Sequence, residues 1–239
     1  MTNEATGRPE SRWITFRPEI KVLDCTIRDG GLMNNHQFDE NLVRAVYQAC
    51  EEAGIDYVEI GYKASRRIYA PAKFGPWKYC DEDTIRRVVG DRKRTVKLCA
   101  MADAERTDYH EDILPKEKSV LDVIRVATYI HQIPTAVEMI RDAHEKGYET
   151  TVNLMAVSTV QESQLDAALE VLAATEVDTI YLVDSFGALY SEQIRYLTHK
   201  YLSYARPAGK DVGIHTHDNQ QLAFANTIEA LIVGANRLD

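Results

Sequence analysis

The sequence predicts an α/β protein folded as one (β/α)8 TIM barrel. Three observations carry this: eight short β-rich runs recur along 239 residues, helical patterns fill most of the gaps, and no Gly-rich dinucleotide fingerprint follows the first run. A chain that is 45% hydrophobic and 27% charged can bury one large core.

In chain order the runs are KVLDCTIR from Lys21, YVEIGY from Tyr57, TVKLCAM from Thr95, LDVIRVAT from Leu121, TTVNLMAV from Thr150, TIYLVDS from Thr179, DVGIHTH from Asp211 and ANRLD from Ala235. Between them, apolar residues at helical spacing predict helices over Glu40–Ala53, Pro134–Lys146, Gln161–Thr175, Ser191–Tyr204 and Gln220–Val233. Gly54, Gly147 and Gly234 stand where three of these should stop. Residues 1–18 read as a flexible polar tail without an apolar signal core, and 19–239 as the barrel domain. The chain closes on Asp239, at the tip of the eighth run, so the helix that should cover that strand is expected to be missing. Two expectations follow: either the sequence is truncated there, or a second copy of the chain or a partner chain supplies the cover.

Composition excludes some partners. A net charge of −9 with no Lys/Arg cluster argues against nucleic acid and anionic membrane surfaces. No apolar run has the length to span a bilayer. Cys25, Cys50, Cys80 and Cys99 are widely spaced with no CxxC, which fits neither a zinc site nor a disulfide framework and points to a reducing cytoplasm.

Polar residues inside the β-rich runs need an explanation, because charges are rarely buried without a partner or a metal. Alternation along the first run places Leu23, Cys25 and Ile27 toward the helices and Asp24, Thr26 and Arg28 toward the lumen. The same parity sends Glu59, Lys97, Arg125, Asn153, His215 and His217 inward. Arg28, Asp29, Asp184, Ser185, His215 and His217 fall at strand ends, where barrels of this class place their chemistry. His215 and His217, at i and i+2, project from one face and can reach one ion. With Asp29 from the neighbouring first strand they form a two-imidazole, one-carboxylate set suited to Mg2+, Mn2+ or Co2+. The loop from Ala64 to Cys80 mixes Arg66, Arg67, Lys73 and Lys78 with aromatic residues and reads as an active-site loop near an anionic substrate.

DCTIRDGG, VEIGY, DSFGALYSEQI and HTHDN, in this order, resemble the DRE-TIM metallolyase (HMG-CoA lyase-like) superfamily from about Val22 to Asp239. DSFGALY and the spacing of RDGGLMNNHQF place the resemblance closest to its 4-hydroxy-2-oxovalerate aldolase-like branch. The resemblance implies a divalent metal held by Asp29, His215 and His217, and an enolate stabilised by Arg28. It also implies a histidine base where this chain has Leu32, so proton transfer is expected to pass to His36, Glu59 or a water on the metal. Asn153, Asp184, Ser185 and Arg125 are expected to bind substrate; for Glu59 a structural network with Arg125 or Lys97 is weighed equally, and for Asp184 and Ser185 support of neighbouring groups is the alternative. The expected activity is aldol cleavage of a 4-hydroxy-2-oxo acid through a pyruvate enolate. The alternatives are a Claisen-type acyl-CoA condensing enzyme of the same superfamily and a catalytically silent barrel acting as a binding subunit.

Overall fold

The computed structural model describes residues 17–90 and 94–239; most of the expected tail lies outside them. Within these residues, eight parallel strands close into a barrel in sequence order, β8 pairing with both β7 and β1. The strands are β1 Lys21–Asp24, β2 Tyr57–Tyr62, β3 Lys97–Asp103, β4 Val123–Thr128, β5 Glu149–Leu154, β6 Thr179–Asp184, β7 Asp211–Thr216 and β8 Arg237–Leu238. The helices are α1 Thr26–Gly30, α2 Glu40–Glu52, α3 Glu82–Val89, α4 Tyr109–Asp112, α5 Ile133–Glu145, α6 Glu162–Ala173, α7 Ser191–Ala205 and α8 Ala223–Val233. No described helix is long and apolar enough to cross a membrane.

The five helices expected from periodicity are present within three residues at each end, and Gly54 and Gly147 end two of them with φ of +75° and +92°. Such values cost an L side chain strain that glycine avoids. Helices α3 and α4, of eight and four residues, fall outside the expected set; α3 buries Ile85, Val88 and Val89 on one face but spans only about two turns.

Strand alternation divides the interior in two. Val58, Ile60, Leu98, Ile124, Val126, Val152, Ile180, Leu182, Val212 and Ile214 are buried against the helices in one large apolar cluster. The opposite faces fill the lumen with Leu23, Tyr57, Cys99 and Val123 low in the barrel, then Glu59, Arg125 and Tyr181 above them. Gly213 lets the Tyr181 ring lie across this layer, since a Cβ there would come within 2.4 Å of it.

The expectation for the first run is corrected. The strand ends at Asp24 and the chain turns into α1, so Arg28 and Asp29 sit on a short helix rather than on a strand. Its parity is also reversed: Leu23 packs in the lumen with Cys25 beside it, while Asp24 faces Cys50 on α2. Thr26 is exposed and hydrogen-bonded to Asp24. Arg28 reaches the interior because the helical turn carries it there. Lys97 shares the lumen parity but lies at the barrel floor, half-exposed and paired with Glu149 at 2.5 Å.

Candidate active site

At the C-terminal ends of the strands a cavity of about 450 Å³ opens, lined by Arg28, Asp29, His36, Asn153, Ser185, His215 and His217 among others. The fold thus brings together seven of the expected site residues. Two loops form one wall, and they are locked to each other. Gly75 N–H donates to the Asn35 carbonyl at 2.8 Å, and the fully buried Trp77 donates from Nε1 to the Phe38 carbonyl at 2.9 Å. A Cβ at Gly75 would fall 2.1 Å from the His36 carbonyl oxygen, so only glycine permits this approach.

Asp29 divides its two oxygens between two neighbours. Oδ1 accepts from Arg28 Nη1 at 2.5 Å, while Oδ2 stands 4.0 Å from His215 Nε2 and 3.8 Å from His217 Nε2. One ligand atom from each of the three residues lies within 4.8 Å of the others, a spacing one cation can bridge. The second nitrogen of each imidazole faces an oxygen. His217 Nδ1 donates to the Asp184 carbonyl at 2.9 Å, and His215 Nδ1 lies 3.2 Å from Asp239 Oδ2. Partners of this kind fix the tautomer and turn Nε2 toward a metal. The donor set and its outer partners therefore fit a divalent ion.

Arg28 is buried and held by two carboxylates, its Nε donating to Glu59 Oε2 at 2.6 Å in addition to the Asp29 contact. Nη2 makes no hydrogen bond. Burial alone would favour the neutral guanidine, but Glu59 and Asp29 push its pKa well above the usual arginine value. A fixed cation with an uncommitted donor beside a metal-ligand cluster is what a developing oxyanion needs.

Three expected roles are corrected. Arg125 is fully buried beneath the cavity, bonded to Glu59 Oε2 at 2.8 Å and Asp239 Oδ2 at 2.7 Å and stacked over Tyr181, so it braces the lumen instead of binding substrate. Glu59 is likewise fully buried outside the cavity lining, between two guanidiniums, which makes it a positioning residue for Arg28. Asp184 gives both side-chain oxygens to the backbone N–H groups of Ala188 and Leu189 at 3.1 Å, shaping the loop that carries Ser185. Gly187 closes that loop onto the His217 carbonyl, 2.5 Å from where a Cβ would sit, at φ +55°.

Asn153 is buried at the cavity wall, and Ser185 Oγ accepts from Ala156 N–H at 2.8 Å, leaving its own proton to donate. His36 is 2% exposed, packed edge-on against Tyr62 with centroids 5.1 Å apart. Asn35, His36 and Ala156, all on the cavity wall, have left-handed backbones (φ 55°, 60° and 54°), strain of about 1 kcal/mol or more each that their surroundings must offset. Leu32 is exposed at the rim.

Burial, with Lys78 and Arg28 nearby, lowers the His36 pKa from 6.5 to about 4. The unfolded chain takes up this proton below pH 6.5 but the folded protein only near 4, so stability is lost as pH falls through that window. The loss is at most about 3 kcal/mol, an upper figure because the ring borders the cavity. His36→Asn, which tolerates the left-handed backbone, is expected to lose less stability than the parent between pH 7 and 4.5, by roughly 2 kcal/mol; urea midpoints at the two pH values decide it.

Sequence reasoning did not single out Tyr62, Asp103, Arg106 or Asp239. Parity along ANRLD could have flagged Asp239, but parity along VEIGY points Tyr62 outward, and a register shift between Glu59 and Tyr62 turns it into the cavity; Asp103 and Arg106 carry no motif.

The HMGL-like family profile matches residues 19–239. An oxaloacetate decarboxylase of Mycobacterium tuberculosis is 32% identical over 230 residues, covering 94% of this chain and 64% of its own length. A 4-hydroxy-2-oxovalerate aldolase of Rhodococcus opacus is 27% identical over 227 residues, covering 92% and 64%. The chain thus spans less than two thirds of either relative. Among solved structures, the N-terminal domain of a Bacteroides vulgatus protein provisionally assigned as an aldolase superposes with a TM-score of 0.78 at 28% identity, over 92% of this chain and 72% of the other. The Bacillus subtilis HMG-CoA lyase shares the fold, with a TM-score of 0.72 at 18% identity over 95% and 78%. With the profile spanning nearly all the described residues and the barrel closed in strand order, the chain belongs to the HMGL-like family.

Proposed function

We propose that this chain is a divalent-metal-dependent carbon–carbon lyase that generates a pyruvate enolate, cleaving a 4-hydroxy-2-oxo acid in the manner of an aldolase. The observation that carries the reading is the division of Asp29 between Arg28 and the two imidazoles, which sets a fixed guanidinium beside a three-ligand cluster. Asp29, His215 and His217 would hold the ion. When bound, Mg2+, Mn2+ or Co2+ supplies Lewis acidity to the 2-oxo carbonyl.

The remaining steps belong to the side chains. Ser185 Oγ–H and the Asn153 amide donate to the substrate carboxylate from the wall facing Arg28. As the C3–C4 bond breaks, its electron pair moves into the enolate, and Arg28 Nη2 donates to the oxygen that gains charge. His36, neutral above pH 4, can accept the 4-hydroxyl proton.

One observation favours a second reading, loss of CO2 from a 2-oxo acid that carries a carboxylate on C3, the electron pair of the C3–carboxylate bond passing into the same enolate. Loss of CO2 leaves no hydroxyl to deprotonate, and this site offers Leu32 in place of a base and a weakly basic His36. In either case the protein must form a pyruvate enolate. Proton NMR of pyruvate in D2O is expected to show loss of the methyl signal with Mg2+, Mn2+ or Co2+ and none with chelator. A folded, metal-loaded protein that never exchanges the methyl protons would sink both readings.

A further inference from the structure

The cavity extends beyond the metal-ligand cluster, and its far end has a charge that the proposed chemistry does not use. Lys78 is 4% exposed and lines the cavity. Among the described residues its ammonium makes no hydrogen bond, and no carboxylate oxygen lies within the 4.0 Å of an ion pair. Instead Nζ stands 4.0 Å from the centroid of the Tyr62 ring and 4.2 Å from that of Tyr69. Of the four cations in this loop, Lys78 alone borders the cavity. Arg66 is paired with Asp81, Arg67 with Asp108 and Glu111, and Lys73 does not reach it.

Two ring faces favour the ammonium over the neutral amine, so Lys78 is suited to holding an anion and poorly suited to acting as a base. Burial works against the charge and lowers its pKa, with Asp103 opposing that effect. Leaving such a cation unpaired is costly, and a ligand oxyanion would offset the cost. We propose that Lys78, with Arg106 at the rim, binds a second carboxylate at the far end of the substrate, which is therefore a dicarboxylic 2-oxo acid. This rests on the enolate reading for the substrate's near end.

Three features support the assignment. Tyr62 lies between the two ends, its ring beneath Lys78 and its phenol in the field of Arg28. Met101 and Ala127 continue that wall as apolar surface, suited to the carbon chain between two charged ends. Asp103 also lines the cavity, so one ligand carboxylate would balance Lys78 and Arg106 against Asp103, whereas a doubly charged phosphate would leave one negative charge unbalanced.

The test is calorimetric titration of the Mg2+-loaded protein with two chain-matched pairs, 2-oxoglutarate against 2-oxopentanoate and 2-oxoadipate against 2-oxohexanoate. In one pair at least, the dicarboxylate is expected to bind about tenfold tighter or more, the difference a charged hydrogen bond makes. Lys78→Met is expected to erase that preference and Lys78→Arg to restore most of it. Equal affinities within both pairs for the unmodified protein overturn the proposal without any variant. So does a preference that survives in a folded Lys78→Met protein. Pyruvate exchange, run in parallel, reports on the enolate reading separately: a Lys78-dependent preference without exchange upholds the subsite and rejects the reaction.

Discussion

Asp29→Asn is expected to weaken divalent-metal binding by about 100-fold or more and to abolish metal-dependent pyruvate exchange, with an unchanged circular-dichroism spectrum. Asn presents one oxygen and one NH2 where Asp29 presents two anionic oxygens. If the oxygen turns toward His215 and His217, the NH2 meets the Arg28 guanidinium, donor against donor, where a 2.5 Å ion pair stood. If it turns the other way, the metal loses its ligand. Neither rotamer serves both neighbours. Arg28→Lys separates the two functions. Lys cannot reach Glu59 and Asp29 while keeping a third donor for the enolate oxygen, so exchange is expected to fall by about 100-fold while metal affinity changes by less than about threefold. Mn2+ titration and methyl exchange on the same samples check the pair. Normal Mn2+ affinity in Asp29→Asn, or normal exchange in Arg28→Lys, would show that the site has been assigned to the wrong groups.

How much of this was legible in the sequence depended on which local rule governed each residue. The barrel and its strand order followed from eight runs that each pack one apolar face on helices, because that face leaves a period-two signal whatever the lumen holds. His215 and His217 were legible for the same reason: both obey strand alternation along β7 and its extension, and their ring centroids lie 4.9 Å apart. The first strand misled because its rule changes midway. At Cys25 the backbone leaves the extended region and turns helical, so extrapolating period two through Ile27 assigned Arg28 to the right place for the wrong reason and reversed Leu23 and Asp24.

A second limit concerns residues whose type suits several roles. Asp184, Arg125 and Glu59 all lie at inward or terminal strand positions, where substrate binding is a fair expectation, and only their partners decide. Asp184 is committed to two backbone amides, and Arg125 to two carboxylates, which no single-sequence pattern encodes. Lys78 shows the converse. It stood in a loop with three other cations of equal standing, and what distinguishes it is the pair of tyrosine rings, one of them brought from β2. Asp239 was read only as the last residue of a strand. In the fold its carboxyl lies against Arg125 and His215; burial would raise its pKa, but these two hold it at about 2, so it stays ionised and keeps His215 Nδ1 oriented.

Glu59→Gln is expected to cost about 3 kcal/mol of folding stability, a larger effect than loss of an exposed ion pair, which is usually below about 1 kcal/mol. Glu59 Oε2 accepts from Arg28 at 2.6 Å and from Arg125 at 2.8 Å, and its side chain is fully excluded from solvent. Removing its charge leaves Arg28 with Asp29 and Arg125 with Asp239, while the two guanidiniums face each other across a neutral amide whose NH2 can accept from neither. For a domain of this size the change corresponds to a drop in Tm of about 6–12 °C. The urea midpoint should fall with an unchanged slope, because the loss lies in the folded state. Adding Arg125→Met tests whether repulsion is the cause. With one guanidinium gone, the double variant is expected to be more stable than the sum of the two single losses predicts, by about 1 kcal/mol or more, although Asp239 then lacks its cation. Strict additivity would mean that the two arginines do not share Glu59 energetically, and that the carboxylate serves Arg28 alone.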